Sequence, residues 1–253
     1  MSSIDILINK AAEYIISSQY AIALTGAGIS TESGIPDFRG QNGLWRRINP
    51  YYATYTYFIE DPEGFWKLYL TFVRSFREAE PNPAHIGLAR LEKLNLLKVI
   101  ITQNIDGLHQ KAGSRNVIEL HGNLRTISCT RCGYKYTYDE VFSIIEESSL
   151  PPRCKVCNGI LKPDVVLFGE PLPYTEISKA YEEASKADLI LVLGSSLTVY
   201  PAAYIPETVK MHGGKVIIIN MEPTEKDHIA EILINAKVGE VVPRLVESIE
   251  NML

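Results

Sequence analysis

Ala21-Ile22-Ala23-Leu24-Thr25-Gly26-Ala27-Gly28 is the stretch that decides the fold of this chain. Four apolar residues in a row leave neither face of a strand for water, the pattern of a parallel strand covered on both sides. The glycines end that strand in a tight turn, as where a βαβ unit passes from strand to crossover. Working outward, similar runs recur at Val99-Ile100-Ile101, Leu189-Ile190-Leu191-Val192-Leu193 and Val216-Ile217-Ile218-Ile219. Helical patterns separate them near 83–94, 174–186 and 201–212. Ile4, Leu7, Ile8, Ala11, Ala12, Ile15 and Ile16 predict an amphipathic helix over 3–18, capped by Ser2 or Ser3. Strands alternating with helices predict an α/β fold built on a doubly wound, Rossmann-like parallel sheet. Val117 to Leu120 and Ile232 to Ile234 are weaker strand candidates, and Val241 to Met252 reads as a closing helix.

Two segments break the rhythm. Residues 38–80 are crowded with aromatic side chains, among them Trp45, Tyr51, Tyr52, Phe65, Trp66 and Tyr69, and residues 128–160 hold all four cysteines. The chain's 253 residues suit one large domain with a small appendage. The expected division is a Rossmann-like nucleotide domain of 1–37, 80–127 and 161–253, with a helical and zinc-binding module of 38–79 and 128–160. A cleft where the two meet is a favoured place for a ligand.

Composition narrows the function. Hydrophobic residues make up 46% and charged residues 22%, which excludes collagen, coiled coil and intrinsic disorder. With 25 Lys and Arg against 30 Asp and Glu, the net charge of -5 disfavours coating nucleic acid. No apolar run reaches the roughly 18–20 residues that cross a bilayer. The first residues lack the basic segment of a secretion signal, so the expectation is a cytoplasmic protein with no membrane partner.

Cys129-x-x-Cys132 and Cys154-x-x-Cys157 bring two thiolate pairs together as a tetrahedral zinc site. Two disulfides are the alternative, disfavoured in a reducing compartment. Four thiolates fill the coordination of zinc, so the metal is expected to be structural. Gly26-Ala27-Gly28 after a buried strand suits a nucleotide, its bare backbone open to a pyrophosphate. The third glycine of the usual dinucleotide pattern is absent, and the region about 20 residues on reads Arg46-Arg47-Ile48-Asn49-Pro50, with neither an acid nor a strand. A hydride-carrying role for a nicotinamide cofactor is therefore poorly supported. Gly194-Ser195-Ser196 and Asn220-Met221 place compact polar groups at strand ends, where doubly wound folds hold ligands.

Gly26-Ala27-Gly28-Ile29-Ser30, Gly34-Ile35-Pro36-Asp37-Phe38-Arg39, Thr102-Gln103-Asn104-Ile105-Asp106, His121-Gly122, the cysteine pairs and the runs 162–170 and 194–202 together resemble the sirtuins, the NAD-dependent protein lysine deacylases. The resemblance runs from about residue 10 to the C-terminus. It implies transfer of acetyl from lysine to the ADP-ribose of NAD, with nicotinamide, lysine and 2′-O-acetyl-ADP-ribose as products and nicotinamide also as inhibitor. It implies His121 as the base that activates a ribose hydroxyl, with Asn104 beside it. Gln103 would orient the ribose, while Ile105 and Asp106 would hold the nicotinamide carboxamide. Asp37, Phe38 and Arg39 would cover the sugar and neutralise phosphate, and Gly194, Ser195, Ser196, Asn220, Met221, Lys237 and Val238 would carry the adenosine half. Acyl-lysine would enter a tunnel at Ile105, Val165, Val166 and Phe168, its backbone pairing as a strand between Gly169-Glu170 and Val199-Tyr200. Succinyl-removing relatives carry a tyrosine and, three residues later, an arginine; this chain has Tyr69 and Phe72, so acetyl is the expected acyl group. The remaining histidines, His85, His109, His212 and His228, are expected to pack, cap or face solvent. ADP-ribosyl transfer to protein and a zinc-ribbon nucleic-acid binder are the competing functions.

Overall fold

In the computed structural model, which describes residues 3–38, 40 and 43–253, the stretch around Ala21 forms strand β1 (Ala21–Thr25), near the middle of a parallel sheet. The sheet runs in the order β3 (Val117–Glu119), β2 (Val99–Thr102), β1, β7 (Leu189–Leu193), β8 (Lys215–Ile219), β9 (Ile232–Ile234). Every neighbouring pair is parallel, as the apolar runs require. Alternate residues serve opposite layers. Ala21, Ala23, Leu189, Leu191, Ile217 and Ile219 meet helices α1 (Ser3–Ser17), α4 (Pro83–Lys93) and α9 (Val238–Met252). Ile22, Leu24, Ile190, Val192, Val216 and Ile218 meet α7 (Tyr174–Lys186) and α8 (Ile205–Met211). Truncating a side chain as enclosed as Leu24 or Ile190 to alanine costs about 2–5 kcal/mol.

The order reverses between β1 and β7. From β1 the chain builds outward through β2 to β3; after β7 it builds the other way through β8 to β9. A crevice opens at the carboxyl ends of the strands at such a switch point.

A second sheet is antiparallel, in the order β5 (Lys135–Thr137), β4 (Gly122–Cys129), β6 (Leu161–Val165). It takes in 122–127 and 161–165, segments that composition alone assigns to the large unit. Their signal is faint because β4 alternates and carries Arg125 and Asn123, while β6 contains Pro163 and Asp164. Helices α2 (Tyr55–Glu60), α3 (Pro62–Glu78) and α6 (Tyr138–Glu147) pack with this sheet around Phe58, Phe65, Trp66, Ile127, Tyr136 and Leu161. The Trp66 indole N–H donates to the Leu161 carbonyl at 2.9 Å, fastening α3 to β6. The aromatic and cysteine-bearing insertions thus share one core. Among the described residues no helix is long and apolar enough to cross a membrane.

Candidate active site

The loops after β1 and β7 interlock at the switch point. The Gly26 N–H donates to Leu193 O at 3.1 Å and the Gly28 N–H to Gly194 O at 2.8 Å. A Cβ on Gly28 would lie 2.8 Å from Gly194 O, so glycine is required by the approach of one backbone to the other. Both glycine N–H groups are thus engaged by carbonyls. Ala27–Ser33 continues as a 3₁₀ helix.

A buried polar network lies beneath the crevice. Ser30 sits at its hub, 1% exposed, donating to Asp106 Oδ2 at 2.7 Å and accepting from Asn104 Nδ2 at 3.1 Å. Asn104 Nδ2 also reaches Gly26 O at 3.1 Å, and its backbone N–H donates to Thr102 Oγ1 at 3.0 Å. Thr102 Oγ1 accepts from Thr25 Oγ1 at 2.8 Å, which lies 2.9 Å from His109 Nε2. His85 accepts from the Asn82 N–H at 3.4 Å, closing the capping box that starts α4, and its Nε2 is 3.5 Å from Ser30 Oγ. Asp106 Oδ1 accepts from the Leu108 N–H at 2.9 Å, at the start of α5 (Leu108–Lys111). Burial raises the Asp106 carboxyl above its usual range against these two hydrogen bonds, which lower it. Ser30 and Thr102 stand in the motifs quoted above with no role assigned to them, and Thr25 carries no signal beyond ending its strand. His85 and His109 do pack and cap, as expected, but inside this network.

Burial pushes the His85 ring down to about 4 and His109 to about 3, with the His85 charge also lowering His109. Both rings are neutral when folded, whereas in the unfolded chain they take up a proton below about pH 6.5. Stability is therefore full above that pH and falls as the pH drops toward 4, by about 2 kcal/mol per ring at pH 5. Asp106, whose pKa moves the other way, offsets part of this. Urea unfolding at pH 7 and pH 5 checks the effect: His109→Gln is expected to flatten the slope, and an unchanged slope would contradict the assignment.

His121 stands between β3 and β4, half-buried. Its Nδ1 is 2.8 Å from the Gln103 carbonyl, which only accepts, so Nδ1 carries the proton and Nε2 is left with a free lone pair. Burial lowers its pKa, and the bond to Gln103 resists that. Gln103 itself donates from Nε2 to Ser195 Oγ at 2.9 Å, linking the two loop ends of the crevice. Ile105 O accepts from the Leu124 N–H at 3.1 Å, bringing β4 against the same loop.

Phe38 stacks on Trp45 at 5.1 Å, and Trp45 meets Phe168 at 5.8 Å, so Phe38 and Phe168 share one aromatic contact. Val166 is hydrogen-bonded to the His121 carbonyl at 2.9 Å, with Val165 half-buried beside it. Phe168 pairs with Thr54, a partner from the first insertion that the sequence did not suggest. Ser196, Asn220, Val199 and Asp37 are half-buried, while Met221, Lys237, Gly169 and Tyr200 are exposed. Val238 is 4% exposed, its side chain in the core with α9, while its backbone stays in the turn after Lys237. Tyr69 is stacked with Phe65 and edge-on to Trp66 against the small module's core, its hydroxyl buried without a hydrogen-bond partner among the described residues. Phe72 is half-buried on the same helix. Arg39 lies outside the described residues.

The four cysteine sulfurs all lie within 4.8 Å of one another, with Cys129 to Cys157 at 3.4 Å and Cys132 to Cys154 at 3.7 Å. Bonds of about 2.3 Å to a tetrahedral zinc separate ligand sulfurs by about 3.8 Å, so the cluster is shaped for one zinc ion. One zinc per chain is expected by elemental analysis. Cys129→Ala is expected to lose it and to lower the melting temperature of the small module. Metal-free protein with an unchanged melting curve would contradict this.

The Sir2 family model matches residues 26–201. The NAD-dependent protein deacetylase of Sulfurisphaera tokodaii is 55% identical over 243 residues, 96% of each chain. That of Caldivirga maquilingensis is 53% identical over 244 residues, 96% of this chain and 94% of its own. A Sir2 enzyme solved with a p53 peptide and NAD+ superposes with a TM-score of 0.90 at 41% identity, covering 96% of this chain and 98% of that one. With the family model matched over most of its length and relatives at more than half identity, this chain belongs to the Sir2 family.

Proposed function

We propose that the chain is an NAD-dependent protein lysine deacetylase, moving acetyl from lysine to ADP-ribose and releasing nicotinamide and 2′-O-acetyl-ADP-ribose. The observation that carries the reading is the free Nε2 of His121, held by the Gln103 carbonyl at the crevice where Asn104 and Asp106 converge. The names of the relatives and the peptide and NAD+ complex of the structural neighbour support it.

The residues present fit NAD. Gly194, Ser195, Ser196, Asn220, Met221, Lys237 and the Val238 backbone would hold its adenosine half. Gln103, Asn104, Ile105 and Asp106 would hold the ribose and nicotinamide, and Asp37, Phe38 and Arg39 would close over them. NAD supplies, when bound, the electrophilic ribose carbon that accepts the acetyl oxygen. His121 Nε2 takes the proton of a ribose hydroxyl. Ser30 keeps the Asn104 amide oriented by accepting one of its two N–H groups, and the stacked Phe38 excludes water from a reactive sugar. Val165, Val166, Phe168, Gly169, Glu170, Val199 and Tyr200 would take the acyl-lysine and its flanking backbone.

Mass spectrometry of an acetyl-lysine peptide incubated with the protein, with and without NAD, tests the reading. The expected result is loss of acetyl only with NAD, slowed by added nicotinamide. Acetyl retained in its presence, or ADP-ribose attached to protein irrespective of the acetyl-lysine, would overturn it.

A further inference from the structure

We propose that Lys162 is a positioning residue for the acyl-lysine strand, a reading that rests on the peptide site assigned above. Its ammonium has three N–H groups and three acceptors: Glu170 Oε2 at 2.9 Å, Val165 O at 2.8 Å and Pro163 O at 3.3 Å. Pro163 and Val165 lie in its own strand, β6, and Glu170 lies in the segment into which that strand runs. The pair is sheltered, with side chains 13% and 22% exposed; among the described residues, only Lys226–Glu207 has both partners comparably enclosed. An enclosed ion pair of this kind is weak as a source of stability, since desolvation cancels much of the attraction, but it fixes geometry when every donor is met.

What it fixes follows from the register of β4 and β6. Cys129, Ser128 and Ile127 pair with Leu161, Lys162 and Pro163, and then the register shifts, so that Val165 pairs with Gly122. Gly122 has φ +71°, and a Cβ there would lie 1.9 Å from Asp164 O, so the two backbones touch where the ladder is interrupted. Beyond the interruption no regular ladder holds residues 166–170. Instead, Val166 donates to His121 O at 2.9 Å and Phe168 to Ala53 O at 3.0 Å, both toward outer neighbours. Lys162 supplies the inner tie, and Glu170 doubles it by accepting from the Leu167 N–H at 2.8 Å. The staple spans Val165, Val166, Phe168 and Gly169, which form the proposed wall and one edge of the peptide slot. It touches neither Gln103 nor Ser195, so its loss is expected to weaken the peptide and spare NAD.

The test uses the intact zinc-loaded protein and a fluorescein-labelled acetyl-lysine peptide, read by anisotropy and by steady-state turnover. Lys162→Met is expected to raise peptide Kd and KM about tenfold, with kcat and the KM for NAD within about twofold, the signature of lost uniform binding. Lys162→Arg, which can still reach both Glu170 and Val165 O, is expected to stay within about threefold of the parent. Glu170→Gln keeps an acceptor for Leu167 and loses only the charge; it is expected to raise Kd about threefold and carries the test if the Met variant fails to fold. Parental Kd in folded Glu170→Gln or Lys162→Met, an arginine variant as weak as methionine, or a KM for NAD that moves with the peptide's would overturn the proposal. A parent protein that binds peptide but never turns it over would remove the deacetylase reading and leave the Kd series to decide the role of Lys162.

Discussion

Deacetylation by the His121→Ala variant is expected to fall by about 10²–10⁴-fold, the usual contribution of a positioned general base. The fold and NAD affinity are expected to survive, because the ring makes one hydrogen bond, to Gln103 O, and leaves the core under β1 untouched. Turnover and NAD titration on the same preparation check both halves, and near-parental turnover would show that the base lies elsewhere. The parent carries a second signature. Burial lowers the His121 pKa, so Nε2 stays unprotonated below the ordinary 6.5 of histidine. The acid limb of kcat/KM is expected to fall at a pH below 6.5, and a limb above it would contradict the assigned environment.

Acyl choice gives the other large effect. An acetyl-lysine peptide is expected to exceed the matched succinyl peptide in kcat/KM by about 10²-fold or more, each 1.4 kcal/mol being worth tenfold. A succinyl carboxylate entering among Ile105, Val165, Val166 and Phe168 loses water and lacks an arginine at position 72 to pair with. Lys162 is already paired with Glu170, and Arg74 is exposed and paired with Glu78 at 2.8 Å. An unpaired buried charge costs several kcal/mol after relaxation. Phe72→Arg, one helical turn from the unpartnered Tyr69 hydroxyl, is expected to narrow the gap by raising succinyl turnover. Equal rates on the two peptides with the parent would refute the argument.

The large sheet was legible because strands buried on both faces can only be apolar runs, and Ala21 to Leu24 and Leu189 to Leu193 are such runs. Helix α7 matched its expected bounds for a related reason: its apolar spacing has one face to fill. The small sheet was not legible, since β4 and β6 have one wet face and mix Arg125, Asn123 and Asp164 with their core residues. At the site, the cysteine spacing and the motif around His121 were readable because chemistry restricts those residue types. The burial of Ser30, Thr25, Thr102 and His109 was not, because it arises from where β1, β2 and α5 meet, and no local pattern encodes a meeting of distant segments. Lys162 opens the run 162–170 that carries the resemblance, but its pairing with Glu170 has no local signal.

His121 is tied to both bodies of the molecule. Its ring is held by Gln103 at the end of β2, and its carbonyl by Val166 beyond β6, while its own backbone is the joint where the chain leaves the large sheet for the small one. The aim of the base and the seam between the two sheets are thereby fixed by the same residue, one by its ring and the other by its backbone.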